Sequence, residues 1–217
     1  MEPKTILCFG DSNTWGWNPR TMERFAPAER WPGVLQERLG GGYLVIEEGL
    51  NGRTTVFDDP LEPHRNGSAY LPACLQSHKP IDLVILMLGT NDLKTRFSAS
   101  SFEIANGAGR LIEIMAASAA GRAGGATPEV LLLAPPPIGD VSAFGGDDPA
   151  FAGSELAWEG AREKSLAFAR QYRRVAEAYG CRFFDTASVV ETSSIDGIHW
   201  EAHSHRALGE ALAEITR

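Results

Sequence analysis

The sequence predicts an α/β fold built on a parallel sheet, and three observations predict it. Short apolar runs rich in β-formers recur along the chain. Longer stretches with apolar residues at helical spacing separate them, the pattern of repeated βα units. Residues 81–88 are apolar almost without a break, as a strand covered on both faces requires.

The first strand is read over residues 5–9, Thr-Ile-Leu-Cys-Phe, and the others over 43–47, 83–88, 130–134 and 182–184. Helices are predicted over 31–39, 101–120, 154–179 and 201–216. In the third of these, Leu156, Ala157, Ala161, Leu166, Phe168, Ala169, Tyr172, Val175 and Ala176 form a stripe near 3.6-residue spacing, opposite Glu155, Glu163, Lys164, Arg170 and Arg173. Ser154 is placed to cap it. The stripe of the 101–120 helix runs through Ile104, Ala108, Leu111, Ile112 and Met115, and the glycines of 121–125 read as its terminator. Both helices read as core-facing scaffold. Two stretches break the pattern: 18–30, polar with Pro19 and Pro27, and 134–153, with Pro135-Pro136-Pro137 and Gly145-Gly146. Loops of this length in a compact fold are usually functional or disordered, and both follow strand ends, on the side of the sheet where ligands bind.

With no internal repeat and no linker, the 217 residues are expected to form one domain spanning 1–217. A hydrophobic share of 43% and a charged share of 22% are those of a soluble globular protein. The net charge of −8 argues against nucleic acid as a partner, which requires clustered Lys and Arg, and against an anionic membrane surface. No apolar run approaches the length of a membrane span. Cys8, Cys74 and Cys181 are odd in number and lack CxxC spacing, which fits reduced thiols, with Cys8 and Cys181 buried on strands. With no signal core after Met1-Glu2-Pro3-Lys4, the expected compartment is the cytoplasm.

The chemistry gathers in blocks that follow strands. Gly10-Asp11-Ser12-Asn13-Thr14 delivers a hydroxyl to the C-terminal edge of the first strand. A Ser hydroxyl attacks at neutral pH only if a neighbouring imidazole takes its proton and a carboxylate orients that imidazole. Asp196 and His199, three apart before the last helix, supply the two in one tight turn, leaving one ring nitrogen to reach Ser12. Acyl transfer also needs donors aimed at the developing oxyanion, worth about 3–4 kcal/mol each. The Ser12 amide, the amide of Gly52 after the second strand and the side chain of Asn91 after the third are the three donors. Asp11 reads as holding the turn through backbone hydrogen bonds.

These blocks, Gly10-Asp11-Ser12-Asn13, Gly52, Gly89-Thr90-Asn91-Asp92 and Asp196-Gly197-Ile198-His199, resemble the four signature blocks of the SGNH (GDSL-type) hydrolases in order and spread. The stretches Ile6 to Trp17, Arg24-Phe25-Ala26-Pro27, Arg30-Trp31, Val45 to Thr55 and Gly67 to Pro72 are similar to the bacterial arylesterase/acyltransferase, or perhydrolase-like, subgroup. The resemblance implies a three-layer α/β/α flavodoxin-like fold with a five-stranded parallel sheet. It assigns Ser12 as nucleophile, His199 as base, Asp196 as orienting acid, and Gly52 and Asn91 as oxyanion donors. It implies no metal or other cofactor, hydrolysis of small-molecule acyl esters such as aryl acetates, some acyl transfer to alcohols or peroxide, and a homo-oligomer, often an octamer. Asn13 stands where the family's name has Leu, which touches none of these roles. Asn51-Gly52 stands where acyltransferase relatives often carry Ser-Ala, which bears on how the acyl pocket holds water.

Other readings have less behind them. His199, His203 and His205 with Asp196 suggest a metal, but His199-Trp200-Glu201-Ala202-His203 is not HExxH, and His203 and His205 read as helix-surface or interface residues. A nucleotide-binding module lacks GxGxxG and GxxxxGK[ST], and an α/β-hydrolase lacks the GxSxG elbow. A silent interaction subunit would not carry every catalytic group. Trp17, with Asn51, is expected in the substrate pocket, and Trp15 and Trp31 in ordinary packing. Arg53 and Arg65 can equally steer anionic substrates or form subunit ion pairs.

Overall fold

The structure, a computed structural model, describes residues 2–122, 124–144 and 153–217. Five strands, β1 (Lys4–Gly10), β2 (Tyr43–Gly49), β3 (Leu83–Met87), β4 (Glu129–Ala134) and β5 (Arg182–Asp185), lie in the order β2-β1-β3-β4-β5. Every neighbouring pair is parallel. The expected parallel α/β sheet is therefore present, and each strand falls within two residues of its predicted bounds.

The period of two along β1 decides the layers. Ile6 and Cys8 face α2 (Trp31–Leu39) and α7 (Ala202–Thr216), packing with Trp31, Leu35, Leu208 and Leu212. Leu7 and Phe9 face the other way, into a core shared with α3 (Gly67–His78), α4 (Ser101–Ala116) and α6 (Phe168–Tyr179). Helices thus cover both faces, which is why the central strands β3 and β4 are almost wholly apolar, while the edge strands β2 and β5 carry Glu47, Glu48, Arg182 and Asp185. The chain leaves β1 outward to β2 and returns past it to β3. That reversal opens a crevice beyond the C-terminal ends of β1 and β3, the ligand position of flavodoxin-like sheets.

Several elements differ from the sequence reading. Residues 67–78, which the sequence reading leaves without a helix, form α3 in spite of Pro72, capped by Asn66, whose side chain accepts from the Ser68 amide at 3.0 Å. The predicted 154–179 helix is three pieces: a 3₁₀ turn at Ser154–Trp158, α5 (Ala161–Ser165) and α6. Gly160 takes a left-handed conformation between the first two, and Leu156 and Leu166, counted in the stripe, are exposed. Ser154 makes no cap; Gly153 precedes it in a left-handed turn. The 101–120 helix ends at Ala116, where Ser118 Oγ donates to the Met115 carbonyl at 2.7 Å. Gly121, read as a terminator, instead pairs with Ile81. Cys181 sits just before β5 and is only half-buried, and all three cysteines are unpaired. Gly145-Gly146, with the rest of 145–152, lies outside the described residues.

His205 corrects the surface reading: it is fully buried, beside Phe25 and Trp200, and Nδ1 accepts from the Trp31 amide at 3.4 Å. Burial, with the nearby charges of His199 and Arg30, pushes it down to about 3. An unfolded imidazole takes its proton near pH 6.5, so between those values the unfolded chain binds the extra proton and stability falls as pH falls. His205→Gln is expected to flatten the dependence of the thermal midpoint on pH between 6 and 4. An unchanged slope would assign the acid loss elsewhere.

Candidate active site

Ser12 owes its position to the two residues before it. The β1 backbone ends at Gly10, and Asp11 caps the short helix α1 (Ser12–Trp15), its Oδ1 accepting from the Asn13 amide at 3.0 Å. This is the turn-holding part expected of Asp11. Ser12 is the first residue of that helix, so its amide has no acceptor within the helix. Burial pushes the Asp11 carboxyl up to about 6, against the Asn13 hydrogen bond and the charges of His199 and Arg53.

The Asp196–His199 turn comes from the opposite end of the chain. Asp196 Oδ1 accepts from the Ile198 and His199 amides, both at 2.9 Å, and Oδ2 lies 2.6 Å from His199 Nδ1. Gly197 has φ of +72°, and a Cβ there would stand 2.2 Å from the Asp140 carbonyl oxygen, so the turn requires glycine. His199 Nε2 lies 2.9 Å from Ser12 Oγ, joining residues 187 apart in sequence. A second tie fixes the same approach: Asn13 Nδ2 donates to the Ile198 carbonyl at 3.3 Å. Burial acts to raise the Asp196 carboxyl, but the His199 hydrogen bond and charge and the two amides outweigh it, and the net shift is downward. Asp196 is thus held as a carboxylate against the imidazole, and the imidazole is held against the hydroxyl. That arrangement can move a proton off Ser12 as it attacks.

Gly52 and Asn91 stand on the same cleft as Ser12 and His199. Asn91 Nδ2 donates to the Arg53 carbonyl at 3.1 Å, which orients the amide and ties the β3 loop to the β2 loop. Asp92 strengthens that tie. It is fully buried, accepts from the Thr55 amide at 3.0 and 3.1 Å, and takes the Thr55 hydroxyl as well. Burial pushes its carboxyl up to about 7, against the Thr55 hydrogen bonds. Asp92 appeared in the sequence only as the end of a block; its part in holding the β2 and β3 loops together has no local signal.

The cleft measures about 360 Å³. Trp17 lines it, with its ring 5.6 Å from the His199 ring, and Asn51 lines it too, so both expected pocket residues are there. Trp15 is partly buried under the Arg24 guanidinium and Trp31 is wholly in the core, as expected. The rest of the lining was not foreseen. Lys94 and Glu62 pair at 2.8 Å and Arg96 and Asp59 at 2.9 Å, and Lys94, Glu62 and Arg96 face the cleft. Phe144, its ring 6.5 Å from the His199 ring, and Trp158 complete the lining from the 134–153 and 154–158 segments. The one available hint was Lys94-Thr95-Arg96 directly after the Asn91 block. Arg53 is buried, donating to the Gly10 carbonyl at 2.9 Å with its guanidinium over the Phe9 ring, and so is not aimed at substrate; Arg65 pairs with Glu62 at 3.6 Å. His203 is exposed on α7, apart from His199.

Residues 8–207 match the model of the GDSL-like lipase/acylhydrolase family. Among solved structures, the native aryl esterase of M. smegmatis is 46% identical, with a TM-score of 0.89 and alignment over 99% of this chain and 98% of that one. A carbohydrate acetylesterase from Sinorhizobium meliloti is 42% identical, with a TM-score of 0.90 over 98% of each chain. A carbohydrate acetylesterase family member from the same organism is 40% identical, with a TM-score of 0.89 over 99% and 97%. No curated protein matches the chain.

Proposed function

The chain belongs to the GDSL-like lipase/acylhydrolase family and is a carboxylic ester hydrolase, and on that premise we propose that it cleaves short-chain acyl esters, aryl acetates among them, through an acyl-enzyme on Ser12. The observation that carries the reading is the continuous line of contacts from Asp196 through His199 to Ser12 Oγ, at 2.6 and 2.9 Å, opening onto one cleft.

In this mechanism Ser12 Oγ attacks the acyl carbonyl while its proton passes to His199 Nε2. Asp196 stabilises the imidazolium through Nδ1–H. The carbonyl oxygen becomes an oxyanion facing the Ser12 and Gly52 amides and the second N–H of Asn91 Nδ2. Collapse breaks the bond to the alcohol, which leaves with the proton from His199. Water, deprotonated by the same imidazole, attacks the acyl-Ser12 ester, releases the acid and returns the proton to Ser12. An alcohol or peroxide in place of that water gives acyl transfer, and the aromatic surfaces of Trp17, Phe144 and Trp158 around His199 support such acceptors.

Asn91→Ala is expected to lower kcat by roughly 10²–10³-fold, the usual cost of one oxyanion donor, with a smaller change in KM. Loss confined to KM would move Asn91 from the transition state to ground-state binding. The acyl preference follows from the charged part of the cleft lining: a small acetyl group is accommodated beside Lys94, Glu62 and Arg96, whereas a long alkyl tail meets charged pairs it cannot solvate. A p-nitrophenyl ester series, run with and without an alcohol acceptor, tests this. The expected result is the highest kcat/KM at two to three carbons and a fall of about tenfold or more by eight carbons; a preference for eight carbons contradicts it.

The proposal includes a single hydrolase domain over residues 1–217, supported by a family match from 8 to 207. It places the protein in the cytoplasm as a homo-oligomer, the first supported by three unpaired thiols and the second by the resemblance set out above. Among the described residues, no helix is long and apolar enough to cross a membrane.

A further inference from the structure

The end of β2 and the helix α3 bring together side chains that take no part in ester chemistry. Among the described residues, Glu48, Cys74 and His78 form one group in which a carboxylate oxygen, a thiol sulfur and an imidazole nitrogen all lie within 4.8 Å of one another. We propose that these three residues bind a single thiophilic divalent cation of the Zn²⁺ class, at a site separate from the catalytic cleft.

Cys74 and His78 are four apart on α3 and so share one face, while Glu48 reaches them from the last turn of the edge strand. Two packed elements therefore hold the donors near one another before any ion arrives. A thiolate, an imidazole and a carboxylate are the three ligand types of zinc, and the sulfur disfavours Mg²⁺ and Ca²⁺. Three protein ligands leave a fourth tetrahedral position for water, and Glu48 and His78 are only partly buried, so the site is open to solvent. His78 Nε2 and Glu48 Oε1 are 2.7 Å apart; two ligands on one zinc stand roughly 3.3 Å apart, so a small opening admits the ion. Tyr70 donates to the other Glu48 oxygen at 3.2 Å and orients the carboxylate, as outer-sphere partners do.

Charge and protons balance. Burial and the Glu48 charge push the Cys74 thiol up to about 12, so the ion must displace that proton, and uptake weakens as pH falls. Thiolate and carboxylate together then match the ion's two charges. The Arg53 guanidinium opposes a second cation but favours the thiolate; it is bonded to the Glu48 carbonyl and held over Phe9.

The test uses the full-length, tag-free protein, stripped with a chelator and titrated with Co²⁺ and then Zn²⁺. One Co²⁺ per chain should bind, with a thiolate-to-cobalt absorption in the near ultraviolet that Zn²⁺ abolishes. Cys74→Ser should lose that band. His78→Gln, at a half-exposed position that tolerates change, should weaken binding at least about tenfold. Both variants should cleave aryl acetate at the wild-type rate, which separates this site from the reading of Ser12. A wild type without the band, a band retained in Cys74→Ser, or an affinity unchanged in His78→Gln overturns the site.

Discussion

Ser12→Ala is expected to reduce kcat/KM for an aryl acetate by at least about 10³-fold, and by as much as roughly 10⁶-fold where no other group substitutes for the nucleophile. The hydroxyl is one small group on a turn held by other atoms: the Asp11 cap, the Asn13 bond to Ile198 and the β1 backbone all remain. Thermal unfolding should therefore be nearly unchanged while cleavage disappears. The residual rate measures what the oxyanion donors and the cleft do alone. Activity above about a thousandth of wild type, in protein free of wild-type contamination, would remove Ser12 from the chemistry.

Asp196→Asn is expected to lower kcat by about 10⁴-fold with little change in KM. The Asp196 carboxylate serves two tasks at once: Oδ1 takes the Ile198 and His199 amides, and Oδ2 takes His199 Nδ1. Asparagine can satisfy the two amides with its oxygen. Its NH₂ then faces Nδ1, which must become the acceptor, and the ring proton moves to Nε2. Nε2 stands 2.9 Å from Ser12 Oγ and, protonated there, cannot take the serine proton. The fold survives and the tautomer is wrong. A loss of less than about tenfold would mean that the imidazole is oriented by other contacts, of which the packing of Trp17 and Phe144 is the nearest.

The sequence displays what is local in origin. Apolar runs specify the central strands β1, β3 and β4, which are buried on both faces, and the blocks after β1, β2 and β3 are read off their positions at strand ends. The meeting of Ser12 with His199 across 187 residues follows from topology. β1 lies inside the sheet, and the turn preceding α7 brings Ile198 against Asn13.

What stayed hidden depends on partners far away in the chain. Nothing near His205 announces that Trp31, Phe25 and Trp200 enclose it. The stripe through 154–179 counts Leu156 and Leu166 as core, but the chain breaks at Gly160, between the 3₁₀ segment and α5, and again at Leu166, between α5 and α6, and both leucines are exposed. α3 forms in spite of Pro72 because Leu71, Cys74 and Leu75 are taken into the core. The charged part of the cleft lining arises from ion pairs 32 and 37 residues apart, Lys94 with Glu62 and Arg96 with Asp59. No run of neighbours encodes either pair.

Ester cleavage on the proposed mechanism proceeds through a covalent intermediate on one hydroxyl. Its most direct test is labelling with an irreversible aryl phosphonate, which mimics the tetrahedral intermediate and stays on the nucleophile. Activity and covalent mass are followed together, and the modified peptide is sequenced. One phosphonyl group per chain is expected on Ser12, with inactivation in proportion to labelling and no labelling once His199 is replaced by Ala. Full activity in a chain labelled on Ser12, or a label on any other residue that tracks the loss of activity, would contradict it.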